Sequence, residues 1–99
     1  MAAKPIGFEW DDHKAEANLQ KHGVSFLEAS TVFEDDNALY MADAAHSDDE
    51  ARFLILGMSI RSRILIVAHC YHGDDGVIRI ISARRAPPAQ EAMYQRRRR

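Results

Sequence analysis

The sequence predicts an α+β fold: an antiparallel β-sheet with two N-terminal helices and one C-terminal helix, in the order β-α-α-β-β-β-β-α. Three observations support this prediction. From residue 38 onwards, apolar runs follow one another across short turns, which favours antiparallel pairing of neighbouring strands. Helix-capping residues bracket two segments in the first half. A proline pair near the end can start a third helix. At 99 residues the chain is expected to form a single domain, residues 1–99.

The first strand and the first helix are predicted from residues 6–10 and 12–22. Asp11 or Asp12 can cap the helix, and the basic pair at its end suits the negative end of the helix dipole. Gly23 stands where a helix commonly ends in a left-handed conformation. The apolar face of this helix is thin, so we expect it to lie at the surface.

A second helix is predicted over residues 26–34. Ser25 and Glu28 have the spacing of a capping box, in which the serine side chain accepts from the amide three residues later. Phe26, Ala29 and Phe33 recur at helical spacing, so they predict the buried face of this helix.

The rest of the chain predicts four strands and a final helix. GDDG, residues 73–76, is a strong turn signal because aspartate and glycine tolerate positive φ. Pro87-Pro88 ends the last strand and suits the first turn of a helix. Residues 96–99, all arginine, are expected to form a flexible basic tail. The predicted strands cover residues 38–43, 51–59, 63–72 and 77–85, with a polar loop at 44–50.

Charge is divided unequally along the chain. Residues 1–50 hold three lysines against twelve acidic residues, and residues 51–99 hold ten arginines against three, so the halves carry about −9 and +7. The basic half can meet a polyanion, or the two halves can neutralise each other in the fold. The longest uncharged apolar run, 64–68, is too short to span a membrane, and the N-terminus does not resemble a signal peptide. Together with a single cysteine, these features lead us to expect a cytoplasmic protein.

The last predicted strand, VIRIISARR, places three arginines in an apolar setting. An arginine there costs free energy unless its guanidinium reaches water, a carboxylate or a phosphate. Regular alternation puts Arg79 and Arg85 on one face and Arg84 on the other. Only a bulge or the strand end can bring all three to one site.

One register of the last hairpin would form an exposed cluster of His69, Tyr71, Arg79 and Arg85. An imidazole, a phenol and guanidinium groups suffice for metal-free phosphodiester cleavage, in which one group takes a proton, one gives a proton and cations stabilise the phosphate. A polar strand end without chemistry is the alternative. The sequence does not fix the register.

The five histidines do not have the spacing of a metal site, and we expect no cofactor. His69 and His72 are three residues apart on a strand and so point to opposite faces. His22, beside Lys21, is a helix-terminal residue and a secondary candidate for binding. Tyr94 either packs against the sheet or presents its hydroxyl near Arg84.

Four blocks of sequence resemble the BrnT family, the toxins of bacterial type II toxin-antitoxin pairs. They are FEWDDHKAEANLQKHGVSFLEASTVFED, EARFLILG, VIRIISARRA and EAMY, and together they run from Phe8 to Tyr94. The resemblance implies a RelE-like ribonuclease fold and a metal-independent endoribonuclease that inhibits translation and growth. It also implies a BrnA-like antitoxin whose DNA-binding dimer gives a 2:2 heterotetramer, so that DNA is contacted only through the antitoxin.

The resemblance and the local chemistry together give the candidate residues. Arg79 and Arg84 would stabilise the scissile phosphate, with His69, Tyr71 or Tyr94 in proton transfer. Arg85, Arg52, Lys21 and His22 would bind RNA. Pro87-Pro88 departs from the family, where a threonine-containing stretch is expected. The alternative function is a non-catalytic RNA- or protein-binding module of the same fold. The positions that match the family are Trp10, Asp11, Lys14, Lys21, His22, Gly23, Phe26, Glu28, Arg52, Arg79, Ser82, Arg84 and Tyr94.

Overall fold

The computed structural model describes residues 7–43, 51–73 and 76–98. Its element order is β-α-α-β-β-β-β-α, and the predicted α+β fold class is confirmed. The loop expected at 44–50 and the centre of the GDDG turn lie outside the described residues. The elements are β1 (Gly7–Glu9), α1 (Asp12–His22), α2 (Phe26–Thr31), β2 (Leu39–Ala42), β3 (Phe53–Met58), β4 (Ile64–His72), β5 (Val77–Arg85) and α3 (Pro88–Arg98), with a 3-10 turn at Val32–Glu34 after α2.

The helix ends confirm the capping residues that the sequence indicates. Asp11 caps α1 by accepting a hydrogen bond from the Lys14 amide at 3.0 Å. Gly23 ends α1 with φ of 69° and donates its amide to the Leu19 carbonyl. Ser25 caps α2 by accepting from the Glu28 amide at 3.0 Å. These bonds satisfy amides and carbonyls that a helix leaves without an internal partner.

The five strands form one sheet in the order β1-β5-β4-β3-β2. Every neighbouring pair is antiparallel except β1 with β5, which is parallel and aligns Glu9 with Arg79. The prediction of a purely antiparallel sheet is therefore wrong in this pair. The chain can pair these strands in parallel because everything between them forms a long crossover connection.

The helices cover both faces of the sheet. We call the two sides the α1/α2 face and the α3 face. On the α3 face, Tyr94 packs with Leu56, Ile64 and Ile66 and covers only one end of the sheet. The main core lies on the α1/α2 face and contains Val24, Phe26, Ala29, Val32, Ile55, Leu65, Val67, Ile78, Ile80 and Ala83.

A β-bulge in β5 reverses the side-chain alternation of that strand. Ala68 pairs with Ser82 but the next residue of β4, His69, pairs with Ile80, so Ile81 has no partner in the register. Before the bulge, Ile78 and Ile80 point into the main core, and after it Ala83 does. An extra residue in one strand shifts every later side chain to the other face. Residues 79, 82 and 84 therefore share one face.

Asn18 joins α1 to β5 just beyond the bulge. Its amide nitrogen donates to the carbonyls of Val24 and Ala83, at 2.9 and 2.8 Å, and its oxygen accepts from the Ala83 amide at 3.0 Å. The side chain is buried, and these three bonds satisfy it. They hold the first helix in register with the arginine-bearing strand.

The last helix begins at the second residue of the proline pair, as the sequence predicts. Its first turn is closed by a bond from the Glu91 amide to the Pro87 carbonyl. The helix continues to Arg98, so three of the four residues expected in a flexible tail are helical, with exposed side chains.

Candidate nucleic-acid interface

The bulge places two of the three β5 arginines on the α3 face. Arg79 and Arg84 are exposed there, with Ser82 between them, whereas Arg85 pairs with Leu65 of the α1/α2 face. The sequence left open which of the three arginines share a face. The bulge places Arg79 and Arg84 on one face and leaves Arg85 on the other. Five residues of strand separate the backbones of Arg79 and Arg84 by roughly 15 Å. The two guanidinium groups are therefore suited to different points on one extended polyanion.

A cleft of about 340 Å³ surrounds Arg79 at the end of the α3 face that α3 leaves open. Three cationic side chains of the described residues line it, because Arg52, just before β3, and Lys14, in the first turn of α1, join Arg79. Positive charge gathered in a cleft raises the local concentration of an anionic ligand. The lining residues are Lys14, Arg52, Cys70, Tyr71, His72, Arg79, Ile80 and Ile81.

A carboxylate, an imidazole and a guanidinium meet beside this cleft, where Glu9 bonds to the two lining residues His72 and Arg79. Both Glu9 carboxylate oxygens lie 3.0 Å from His72 Nδ1, and Arg79 Nε donates to Glu9 Oε2 at 3.1 Å. The hydrogen bond from His72, aided by Arg79, lowers the pKa of Glu9 below its ordinary value. The parallel pairing of β1 with β5 creates this cluster, because it sets Glu9 beside Arg79.

His69 lies on the opposite face and is fully buried. Its ring contacts four aromatic rings, those of Phe33, Tyr40, Phe53 and Tyr71, with centroids 4.8 to 6.3 Å away. Nδ1 lies 3.2 Å from the Val67 carbonyl, and Nε2 has no hydrogen-bond partner in the part of the chain that the structure describes. Burial lowers the pKa of His69, so the neutral ring is favoured. This histidine has no access to a ligand in the cleft.

The exposed cluster of His69, Tyr71, Arg79 and Arg85 that one register would allow does not form. Arg79 pairs with Cys70, while His69 and Tyr71 pair with Ile80 and Ile78, which point into the main core. The rings of Tyr71 and His69 contact each other on that side of the sheet. Tyr71 also forms part of the cleft wall. His69 and His72 do point to opposite faces, as their spacing predicts.

Tyr94 packs against the sheet and does not reach Arg84. It is buried, and its hydroxyl donates to Asp35 Oδ2 at 2.5 Å. Burial raises the pKa of Tyr94 to about 12, and the bond to Asp35 adds to this. Burial acts to raise the pKa of Asp35 as well, but the bonds from Tyr94 and from the Met58 and Asn37 amides outweigh it and lower that pKa. Tyr94 thus joins α3 to the opposite side of the sheet.

Of the four residues expected to bind RNA, the structure brings one into the cleft, namely Arg52. Lys21 is exposed and His22 half-buried at the end of α1. They lie about 10 Å along the helix from Lys14, at 1.5 Å per residue. Arg85 is exposed but belongs to the other face of β5.

Reasoning from sequence missed two residues of this cluster: His72, which lines the cleft, and Glu9, which bonds to it. The available signal was weak: an acidic side chain within the short apolar strand IGFEW, and a histidine at the end of β4. Their meeting depends on the pairing of β1 with β5, two strands separated by most of the chain. Lys14 was noted as a family position, without a role.

Two further searches of the described residues gave negative results. Within residues 7–43, 51–73 and 76–98, no three histidine, cysteine, aspartate or glutamate residues cluster as metal ligands would. None of the helices in these ranges is long and apolar enough to cross a membrane.

The chain is similar to known proteins in sequence and in fold. Residues 10–89 match the family model described as "Ribonuclease toxin, BrnT, of type II toxin-antitoxin system". The structure resembles the crystal structure of the Brucella abortus ribonuclease toxin BrnT, with a TM-score of 0.63 and 21% identity over 83% of this chain and 97% of that one. No curated protein matches the chain in sequence. Because the family model covers most of its length, the chain belongs to the BrnT family of ribonuclease toxins of type II toxin-antitoxin systems.

Proposed function

We propose that this protein is a metal-independent endoribonuclease that cuts single-stranded RNA in the cleft around Arg79. The observation that carries this proposal is the bulge at Ile81, which sets Arg79 and Arg84 on the same exposed face of the sheet. RNA cleavage builds up negative charge on the phosphate, and fixed guanidinium groups stabilise that charge. Family membership supports ribonuclease activity in general.

The roles of the arginines follow from their positions. Arg79 lies in the cleft, where Glu9 fixes its guanidinium at Nε and leaves the rest of the fork for a phosphate. Arg84 lies outside the cleft, so we assign it to the RNA strand on one side of the cut. Arg52 and Lys14 line the cleft and complete its positive charge.

Unpaired RNA suits this site better than a duplex. The cleft has a volume of about 340 Å³, and a flexible strand can splay a nucleotide into it, whereas a base-paired ribose is held within a stiff helix. Cleavage of cellular RNA in the cytoplasm would then stop translation and growth.

We also propose the partner expected from the sequence. A toxin of a type II system has a protein antitoxin. A BrnA-like antitoxin with a DNA-binding dimer would form a 2:2 heterotetramer and would contact the operator DNA itself. The positive cleft favours an antitoxin that covers it with acidic side chains.

The test is cleavage of a single-stranded oligoribonucleotide by purified protein in the presence of EDTA. We expect cleavage by the wild type and a loss of at least about 100-fold for Arg79→Ala, because one fixed donor to a developing charge has an effect of that order. Arg84→Ala should mainly weaken RNA binding. Arg85→Ala is the matched control, since Arg85 neighbours Arg84 on the same exposed strand end but belongs to the other face.

Two results would contradict the proposal. If the wild type cuts no RNA and its expression leaves growth unaffected, the protein is a binding module of the same fold. If EDTA abolishes cleavage and a divalent cation restores it, the reaction depends on a metal.

A further inference from the structure

The cleft contains a histidine, His72, whose imidazole is oriented by a carboxylate, as the imidazole of a general base commonly is. Both carboxylate oxygens of Glu9 lie 3.0 Å from His72 Nδ1. A carboxylate in that position accepts the Nδ1 proton, so the neutral imidazole keeps Nε2 as its proton acceptor. The His72 side chain is 68% exposed, in contrast to the fully buried His69.

The same carboxylate orients the cation that would hold the phosphate. Arg79 Nε donates to Glu9 Oε2, so one carboxylate binds both the imidazole and the guanidinium. The two groups are thereby kept on adjacent strands of the α3 face with a fixed relative position. This arrangement pairs a proton acceptor with a phosphate-binding group, which cleavage of RNA by its own 2′-hydroxyl requires.

The charge of the cleft suits an anionic substrate. Besides Arg79 and His72, the charged groups among the described residues that line it are Arg52 and Lys14, both cationic. The substrate class that fits all of these groups is a single-stranded RNA bearing a free 2′-hydroxyl beside the phosphate in contact with Arg79.

We propose that His72 is the catalytic base of this site and that Glu9 is its positioning residue. This inference rests on the proposed ribonuclease function and names the proton acceptor for it. His72 Nε2 takes the 2′-hydroxyl proton while the 2′-oxygen bonds to phosphorus and the bond from phosphorus to the 5′-oxygen breaks. The 5′-oxygen takes a proton from solvent water and His72 returns one to solvent. The products are a 2′,3′-cyclic phosphate and a 5′-hydroxyl.

The main experiment compares His72→Gln with wild type on a single-stranded oligoribonucleotide. We expect the cleavage rate to fall by about 100-fold or more, which is the usual contribution of a general base. Binding of the same oligonucleotide with 2′-O-methyl groups, which cannot be cut, should stay within about twofold, since its phosphates keep their cationic partners. His13→Gln is the control, because His13 is an exposed histidine beside Lys14 on α1.

Glu9→Gln tests the positioning role separately. Glutamine keeps a hydrogen-bond acceptor near Nδ1 but removes the charge that favours protonated His72. The rising limb of the profile of cleavage rate against pH should therefore move to lower pH, and the plateau rate should fall about tenfold because a weaker base transfers the proton more slowly. A role in folding alone would lower the amount of active protein without moving the profile.

The outcomes separate the inference from the function beneath it. A wild type that does not cut RNA overturns both. A wild type that cuts, with a His72→Gln variant that cuts equally well or that loses affinity for the 2′-O-methyl RNA in parallel, overturns the inference and leaves the ribonuclease function standing. An unmoved pH profile in Glu9→Gln overturns the positioning role.

Discussion

Two carboxylates in this protein each bind an arginine, and the two pairs differ chiefly in exposure. Glu28 accepts from Arg63 Nε at 2.9 Å and from Ser59 Oγ at 2.6 Å, and its side chain is 4% exposed. Glu9 accepts from Arg79 Nε at 3.1 Å, and its side chain is 32% exposed. The bonds from Arg63 and Ser59 lower the pKa of Glu28, and the bond from His72 lowers that of Glu9.

The comparison shows that the same kind of ion pair, a glutamate with an arginine, can have a different role in each place. The two hydrogen-bond donors to Glu28 are structural, because Ser59 is buried and Arg63 also donates to the Gly23 carbonyl, which ties the β3–β4 turn to the end of α1. Around Glu9 the partners lie in a cleft that opens to solvent. Removing one member of a buried pair is costly, whereas an exposed pair contributes little to stability. The two clusters should therefore respond to mutation in opposite ways.

The largest effect on stability is expected for Glu28→Ala. It removes the acceptor that Arg63 and the buried Ser59 share, and the free energy of unfolding should fall by about 3 kcal/mol. Urea unfolding measures this. Leu27→Ala on the same helix is the control, because Leu27 is 70% exposed. Equal effects of the two substitutions would show that burial does not distinguish the two clusters.

Tyr94→Phe should have an intermediate effect. It removes the hydroxyl that donates to Asp35, and a hydrogen bond to a charged group contributes about 2 kcal/mol. Cleavage of RNA by the folded variant should equal that of the wild type, because Tyr94 is buried away from the cleft. A variant with normal stability but no cleavage would restore Tyr94 as a catalytic candidate.

His69→Phe should have the smallest effect on stability at neutral pH, within about 1 kcal/mol of wild type and in the stabilising direction. It replaces a buried ring whose Nε2 has no partner among the described residues with an apolar ring among aromatic neighbours. Urea unfolding and RNA cleavage of the two proteins test this, and cleavage should be unchanged. A variant that folds normally but has lost cleavage would assign His69 to the active site.

The same substitution should also alter how stability depends on pH. Burial lowers the pKa of His69, so below about pH 6.5 the unfolded chain binds a proton that the native protein does not. The wild type should lose stability as the pH falls through that range, by at most about 1.4 kcal/mol per pH unit from this group, and His69→Phe should lose less. Parallel curves at pH 7.5 and 5.5 would contradict the burial of a neutral ring.

The parts of the fold that the sequence predicts are those decided by neighbouring residues. The cap at Asp11, the left-handed Gly23 and the proline start of α3 depend on a few adjacent side chains, and the structure confirms all three. Strand pairing over long distances is different. The parallel alignment of Glu9 with Arg79 joins positions 70 residues apart, and no local pattern indicates it.

Only part of the candidate site could be predicted from the sequence, because the site also depends on strand pairing over long distances. Arg79 and Arg84 could be chosen because arginine is costly in an apolar strand without an anionic or aqueous partner. From the sequence we chose His69, which lies outside the cleft, and not His72, which lines it. That choice depended on the register of the β4–β5 hairpin. A single unpaired residue, Ile81, determines that register. Ile80 and Ile81 are adjacent and identical, so the sequence does not mark the position of the bulge.

The bonds from Asn18 to Ala83 also cover part of an open edge of the sheet. Strand β1 pairs with β5 only as far as Arg79, so beyond it the backbone of β5 forms an outer edge of the sheet. An uncovered edge invites a strand from another molecule, which is how β-sheet proteins associate into fibres. The amide of Asn18 binds both the N–H and the C=O of Ala83, the two groups that an invading strand would use. One side chain from a helix thereby occupies the backbone groups of Ala83 with which a further strand would pair at this edge.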